Sequence, residues 1–291
     1  MTFNDDARIG RSRTSKRGRN AGIAVGGGGL GVIAILLVGQ LLGVDLSGLV
    51  GGAPVGGSGG GTDTSLEQCD TGRDANELVE CRMVGAADSL DAFWSEQLGQ
   101  QYVQPQLILF EQATNTGCGS ATSAVGPFYC PPDQSVYIDT SFYAELSGRF
   151  GASGGSLAQL YVVAHEWGHH ISNITGAMDG LDRSETGPAS DGVRLELQAD
   201  CFAGAWVAGA ENTLDENSTP LLKPPTPAEI ADALSAASAV GDDRIQEATT
   251  GQVQPETWTH GSSEMRQRWF TIGREQGRTA CDTFSVPGDD L

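Results

Sequence analysis

Three of the chain's four histidines fall within six positions, in VVAHEWGHHI. His165 and His169 are four residues apart, which on a helix puts them on one face, about one turn apart. Leu157, Leu160, Tyr161, Ala164, Gly168 and Ile171 recur at helical spacing around them, with Ser156 placed to cap the helix and Gly176 to end it. Val162, Val163 and Ile171 leave only the side bearing the two imidazoles polar, so a buried helix is expected and a His-rich surface helix is not. The fold must therefore enclose two imidazoles and the Glu166 carboxylate between them.

That spacing has a chemical reading. Two neutral imidazoles suit one zinc ion, and a glutamate between them can reach a water beside it. Glu166 is then the candidate general base, passing the proton on to a leaving amine. A catalytic zinc site needs a third protein ligand. Ser172 and Thr175 stand three and six residues after His169, which excludes a third histidine there. RLELQADCFAG instead offers Glu196, 27 residues after His169, and Asp200 one turn further on the same helical face. Glu196 is the expected third ligand, with His260 as its rival. Asp200 is expected to bond the free ring nitrogen of a ligand histidine and fix its tautomer. His260, just before a helix start, could alternatively donate to the oxyanion of a tetrahedral intermediate, with Arg266 helping from the helix that follows. His170 faces elsewhere and receives no role.

The pattern along the chain is mixed. Helix is expected from about Asp74 to Leu98, and PQLILF reads as a short buried strand. AVGPFYC and QSVYID read as two strands joined by a PPD turn. Helices follow at about Val193 to Ala208, from Thr226, where Thr-Pro-Ala-Glu makes a capping box, and at about Ser263 to Gly277. Strands precede helices, so the expected class is α+β: a small antiparallel sheet plus active-site helices, behind one N-terminal transmembrane helix.

That membrane helix is read from the first 44 residues. Residues 1–20 carry a local charge of +4, and no charged residue occurs from Ala21 to Val44. These 24 positions suffice for a membrane span; a cleaved signal peptide is the competing reading. The expected layout is a basic cytoplasmic tail over 1–20, a transmembrane helix over 21–44, a Gly-rich linker over 45–63 and an exported domain over 64–291. The protein would then be single-pass in the cell membrane, with its N-terminus cytoplasmic and its catalytic domain extracytoplasmic. The remaining 271 residues carry −24, which argues against nucleic acid as a partner. Six cysteines fit export; of fifteen possible connectivities the expected one is Cys69–Cys81, Cys118–Cys130 and Cys201–Cys281, with buried free thiols as the alternative in a cytosolic protein.

GCGSATSAVGPFYCPPDQSVYID, AHEWGHH, RLELQADCFAG, AVGDDRIQ and THGSSEMRQRWF…CDTF, together with the basic start and apolar stretch, resemble the membrane-anchored bacterial neutral zinc metallopeptidases. The resemblance implies a zincin-like domain with one zinc ion and a peptide or protein substrate. More distantly the layout is similar to gluzincin peptidases, which implies Glu196 as ligand, Asp200 behind it and His260 near the active site. It also implies a sheet-edge strand that holds the substrate backbone, for which Ala124 to Tyr129 is the candidate. Two other functions remain open: a zinc-stabilised envelope binding or chaperone-like module without catalysis, and an amidase acting on a non-protein amide.

Overall fold

The computed structural model describes residues 1–10, 13–17, 66–148 and 151–291. Six strands are present among them: β1 (Thr14–Arg17), β2 (Gln106–Phe110), β3 (Ala113–Thr116), β4 (Gly119–Thr122), β5 (Phe128–Cys130) and β6 (Ser135–Asp139). The α-helices are α1 (Gly72–Glu77), α2 (Val79–Leu98), α3 (Phe142–Gly148), α4 (Ser156–Ile174), α5 (Asp191–Gly209), α6 (Pro227–Ala239), α7 (Asp242–Thr250) and α8 (Ser263–Gln276). The α+β class holds, although α1 and α2 precede five of the six strands.

The sheet is mixed where an antiparallel one was expected. Its order is β1-β2-β6-β5; β1 and β6 both run parallel to β2, and only β5 is antiparallel to its neighbour. The PPD turn does join β5 to β6 antiparallel. Parallel neighbours require long connections, and two of the three pairings here come from segments far apart in sequence, which hairpin reading cannot detect. β3 and β4 form a separate antiparallel pair. The helix expected from Asp74 to Leu98 is broken at Leu78, which is extended (φ −112°, ψ 128°).

Behind the sheet, α4 packs between α5 and α6, and α5 packs along α8. Glycines let these backbones close up. A Cβ on Gly168 would come within 2.9 Å of the Ala199 backbone, and one on Gly273 within 1.8 Å of the Cys201 carbonyl oxygen. The bond between Cys201 and Cys281 ties α5 to the segment after α8, and Cys69–Cys81 and Cys118–Cys130 are also bonded, as expected. The Thr226–Glu229 capping box forms at the start of α6. α4, by contrast, takes Gly155 as its N-cap with no side-chain cap, because the Ser156 hydroxyl donates to the Met1 carbonyl (2.7 Å).

That contact belongs to a wider packing of the N-terminal residues, expected as a basic tail, against the body over 1–10 and 13–17. Met1, Phe3, Ala7 and Ile9 are buried in the main core, and β1 is a strand of the main sheet. The expected transmembrane helix (21–44) and linker (45–63) lie outside the described residues; among the described residues no helix is long and apolar enough to cross a membrane.

Gly10 donates its N–H to Asp88 Oδ2 of α2 (2.5 Å). Burial raises the Asp88 carboxyl to about 7, against the pull of that hydrogen bond. The folded carboxyl thus holds its proton more tightly than the unfolded one, so stability is fullest below about pH 4 for this group and is lost as pH rises through about 7. Asp88→Asn keeps an acceptor for Gly10 and removes the loss. It is expected to raise the melting midpoint at pH 8 by about 2–4 °C, the shift about 1 kcal/mol gives a domain of this size, and to leave it unchanged at pH 4; calorimetry at both pH values checks this.

Candidate metal centre

α4 and α5 together build the site. His165, Glu166 and His169 are all buried on α4, and the two imidazoles stand edge to face with ring centroids 4.8 Å apart. α5 brings Glu196 against them. Its Oε2 is 3.2 Å from His165 Nε2 and its Oε1 is 3.3 Å from His169 Nε2. One donor atom from each of the three residues lies within 4.8 Å of the others. Ligand atoms about 2.0–2.1 Å from a tetrahedral zinc ion sit roughly 3.3 Å apart, so this donor set fits zinc in kind and in spacing. His260 is not in the cluster.

The charges agree with that fit. Burial opposes the charge on Glu196, yet His169 and His165 hold its carboxyl well below the ordinary range. Burial likewise disfavours a cationic His165, yet Asp200 and Glu196 raise it to about 10. Asp200 and Glu196 thus favour a positive charge at this place. Glu166 differs: burial lifts its carboxyl above the ordinary range, partly countered by His165 and His169.

Asp200 is fully buried and accepts from His165 Nδ1 at 2.8 Å. It is itself clamped. Arg266 of α8 donates Nε to Oδ2 (2.7 Å) and Nη2 to Oδ1 (3.0 Å), and the Tyr161 hydroxyl donates to Oδ1. Arg266 also reaches the Tyr161 hydroxyl (3.3 Å) and the Val240 carbonyl (3.2 Å). Tyr161 was not anticipated as a site residue, although it stands four residues before His165, on the same helical face. His169 has no such support: its Nδ1 is buried and without a hydrogen-bond partner.

His260 lies outside the cluster but close enough for electrostatic contact with it. Its side chain is 40% exposed, and its charge is felt at Glu196. Its Nδ1 lies 3.3 Å from Asp242 Oδ1 and 2.9 Å from the Thr259 hydroxyl. Asp242 Oδ2 accepts the backbone N–H groups of Thr259, His260 and Gly261 at 2.8, 2.7 and 3.0 Å. No spacing rule links Asp242 to His260, eighteen residues away, so sequence reading passes over it.

His170 faces away from the cluster. It bonds the Tyr129 hydroxyl (3.0 Å) and the Val103 carbonyl (2.5 Å), and Asn173 donates to the same hydroxyl (2.9 Å). The two bonds to the Tyr129 hydroxyl hold β5 down on α4, and the Val103 bond ties the segment before β2 to the same helix. β5 is an edge strand, but it covers Phe128–Cys130; most of the expected Ala124 to Tyr129 segment is a turn and an approach to it.

The sequence model of the family described as "Putative neutral zinc metallopeptidase" matches residues 3–284. The chain belongs to this family. It is also 48% identical over 257 residues to an uncharacterized protein of Mycobacterium tuberculosis, covering 85% of each chain. With the uncharacterized protein YpfJ of Escherichia coli K12 it shares 36% identity over 294 residues, covering 96% of this chain and 94% of YpfJ. No solved structure matches the chain.

Because Asp200 orients one histidine of this cluster, Asp200→Asn is expected to weaken zinc binding by about 10–100-fold, read by competition with a chromogenic chelator. Unchanged affinity would mean that Asp200 serves the helix packing alone.

Proposed function

We propose that the protein is a zinc-dependent peptidase in which His165, His169 and Glu196 hold one zinc ion and Glu166 is the general base. The observation that carries this reading is the convergence of three donor groups from two helices, with a fourth buried group, the Glu166 carboxylate, in electrostatic contact with them. A zinc ion bound there supplies a Lewis acid and a water acidic enough to ionise near neutral pH. Glu166, whose raised affinity for protons suits the task, accepts the proton of the attacking water and returns it to the leaving amine. Asp200, locked by Arg266 and Tyr161, keeps the His165 proton on Nδ1 and its Nε2 free. His260, held through Nδ1 and its backbone by Asp242, presents its other ring nitrogen to the oxygen on which charge develops. β5, the edge strand of the sheet, seated on α4 by Tyr129, is the candidate to pair with an extended substrate backbone.

Three variants test the assignment on the purified full chain. Glu166→Gln is expected to bind one zinc per chain by elemental analysis and to lose cleavage of an unfolded protein by at least about 10²-fold. An active Glu166→Gln variant would overturn the mechanism, and zinc-loaded wild-type protein that cleaves no peptide would favour the binding-module reading. His260→Ala is expected to lower kcat by about 10²–10³-fold with little change in KM, and Asp242→Asn to lower it less. A variant that changes KM alone would place His260 in substrate binding instead.

A further inference from the structure

We propose that the described N-terminal residues, 1–10 and 13–17, stand on the same side of the membrane as the catalytic body. The single-pass arrangement expected from the sequence puts Arg17 and Leu66 on opposite faces. The packing of the first 17 residues is incompatible with that.

The N-terminal segment is joined to the body along its whole described length. Phe3 is 1% exposed, and its ring fills the space above Gly85 of α2, where a Cβ would come within 2.5 Å of it. Backbone bonds run from Lys223 N to Thr2 O (2.9 Å), from Asn4 N to Leu221 O (3.0 Å), from Gly72 N to Ala7 O (2.8 Å) and from Ile9 N to Asp70 O (3.1 Å). The Asn76 side chain bonds both the N–H and the carbonyl of Phe3. β1 then adds to the sheet in parallel register, with Thr14 to Arg17 opposite Leu107 to Phe110. A strand cannot pair with β2 across a hydrocarbon layer about 30 Å thick.

The charges that suggested a cytoplasmic tail have work inside the body. Lys16 pairs with Glu80 (2.8 Å) and Glu111 (3.2 Å). Arg17 donates to the Asn115 carbonyl (2.8 Å) and lies over the Tyr137 ring. The segment also reaches the candidate active site's own helix, through the Ser156–Met1 bond at the first turn of α4. The three disulfides of the body mark the side the two share as the oxidising one.

Two measurements on the full-length chain in the producing cell test this. In the first, Ser15→Cys is combined with Ile108→Cys, partners in the β1–β2 register, and a specific protease site is placed in the Gly-rich stretch 51–63. The N-terminal fragment is expected to stay attached after cleavage and to be released by reductant. In the second, Asp6→Cys and Glu216→Cys, both at exposed positions, are treated separately with a membrane-impermeant maleimide before and after permeabilisation. The two are expected to label alike, before permeabilisation. Labelling of both only afterwards still places them together and moves the body to the cytoplasm. Labelling of Glu216→Cys before and of Asp6→Cys only after permeabilisation overturns the proposal, whatever the crosslink shows.

Discussion

The bond between the Asp200 carboxylate and the Arg266 guanidinium is the interaction on which the centre of this molecule depends. It joins α5 to α8, and through His165 and Tyr161 it joins both to α4. Arg266 is 2% exposed and Asp200 fully buried, so neither charge has water to solvate it. Removing one partner leaves the other uncompensated, at about 3–5 kcal/mol. A charge pair this deep is a poor general device for stability. Here it has a second consequence: Asp200 is held so firmly that it dictates the orientation of the His165 ring.

Such a clamp operates only if the helices stay close, and the backbone contacts at Gly168 and Gly273 provide for that. Gly168 lies inside the HEWGH segment itself, one residue before His169. It therefore brings the α4 backbone against Ala199, the neighbour of Asp200, at the level of the site. The Cys201–Cys281 bond begins one residue beyond Asp200 and closes the far side of α5. Packing and site chemistry are thus set by neighbouring residues on the same two helices. A loosening of α4 against α5 would move the imidazoles and Glu196 apart before it exposed much core.

The site was legible in the sequence to the extent that it is local. His165 and His169 declare themselves by a spacing of four, as do Glu196 and Asp200, because one helical turn converts that spacing into a shared face. The capping box at Thr226 was readable for the same reason. Tyr161 obeyed the same rule and was passed over, since an apolar-looking tyrosine at a core position carries no sign of its hydroxyl's partner. Asp242 could not be read at all: it meets His260 through the loop before α8, and nothing in AVGDDRIQ distinguishes it from its neighbour Asp243. His170 shows the converse, a histidine in the motif whose two ring nitrogens tie down the edge strand at Tyr129 and the segment before β2 at Val103.

The sequence by itself determined the α4 helix, the pairing of its two imidazoles and the face on which Glu196 and Asp200 lie, because each follows from short-range geometry; for the cysteines it left fifteen connectivities, and the fold chose among them. The tertiary structure alone decided that Arg266 neutralises Asp200, that the sheet is mixed, and that residues 1–17 belong to the body. A parallel strand carries no hairpin signal, and its partner is specified by hydrogen bonds between segments nearly ninety residues apart in sequence. A cluster of basic residues before an apolar stretch looks the same in sequence whether its charges face water or, like Lys16 and Arg17, meet carboxylates and an aromatic ring brought to them by the fold.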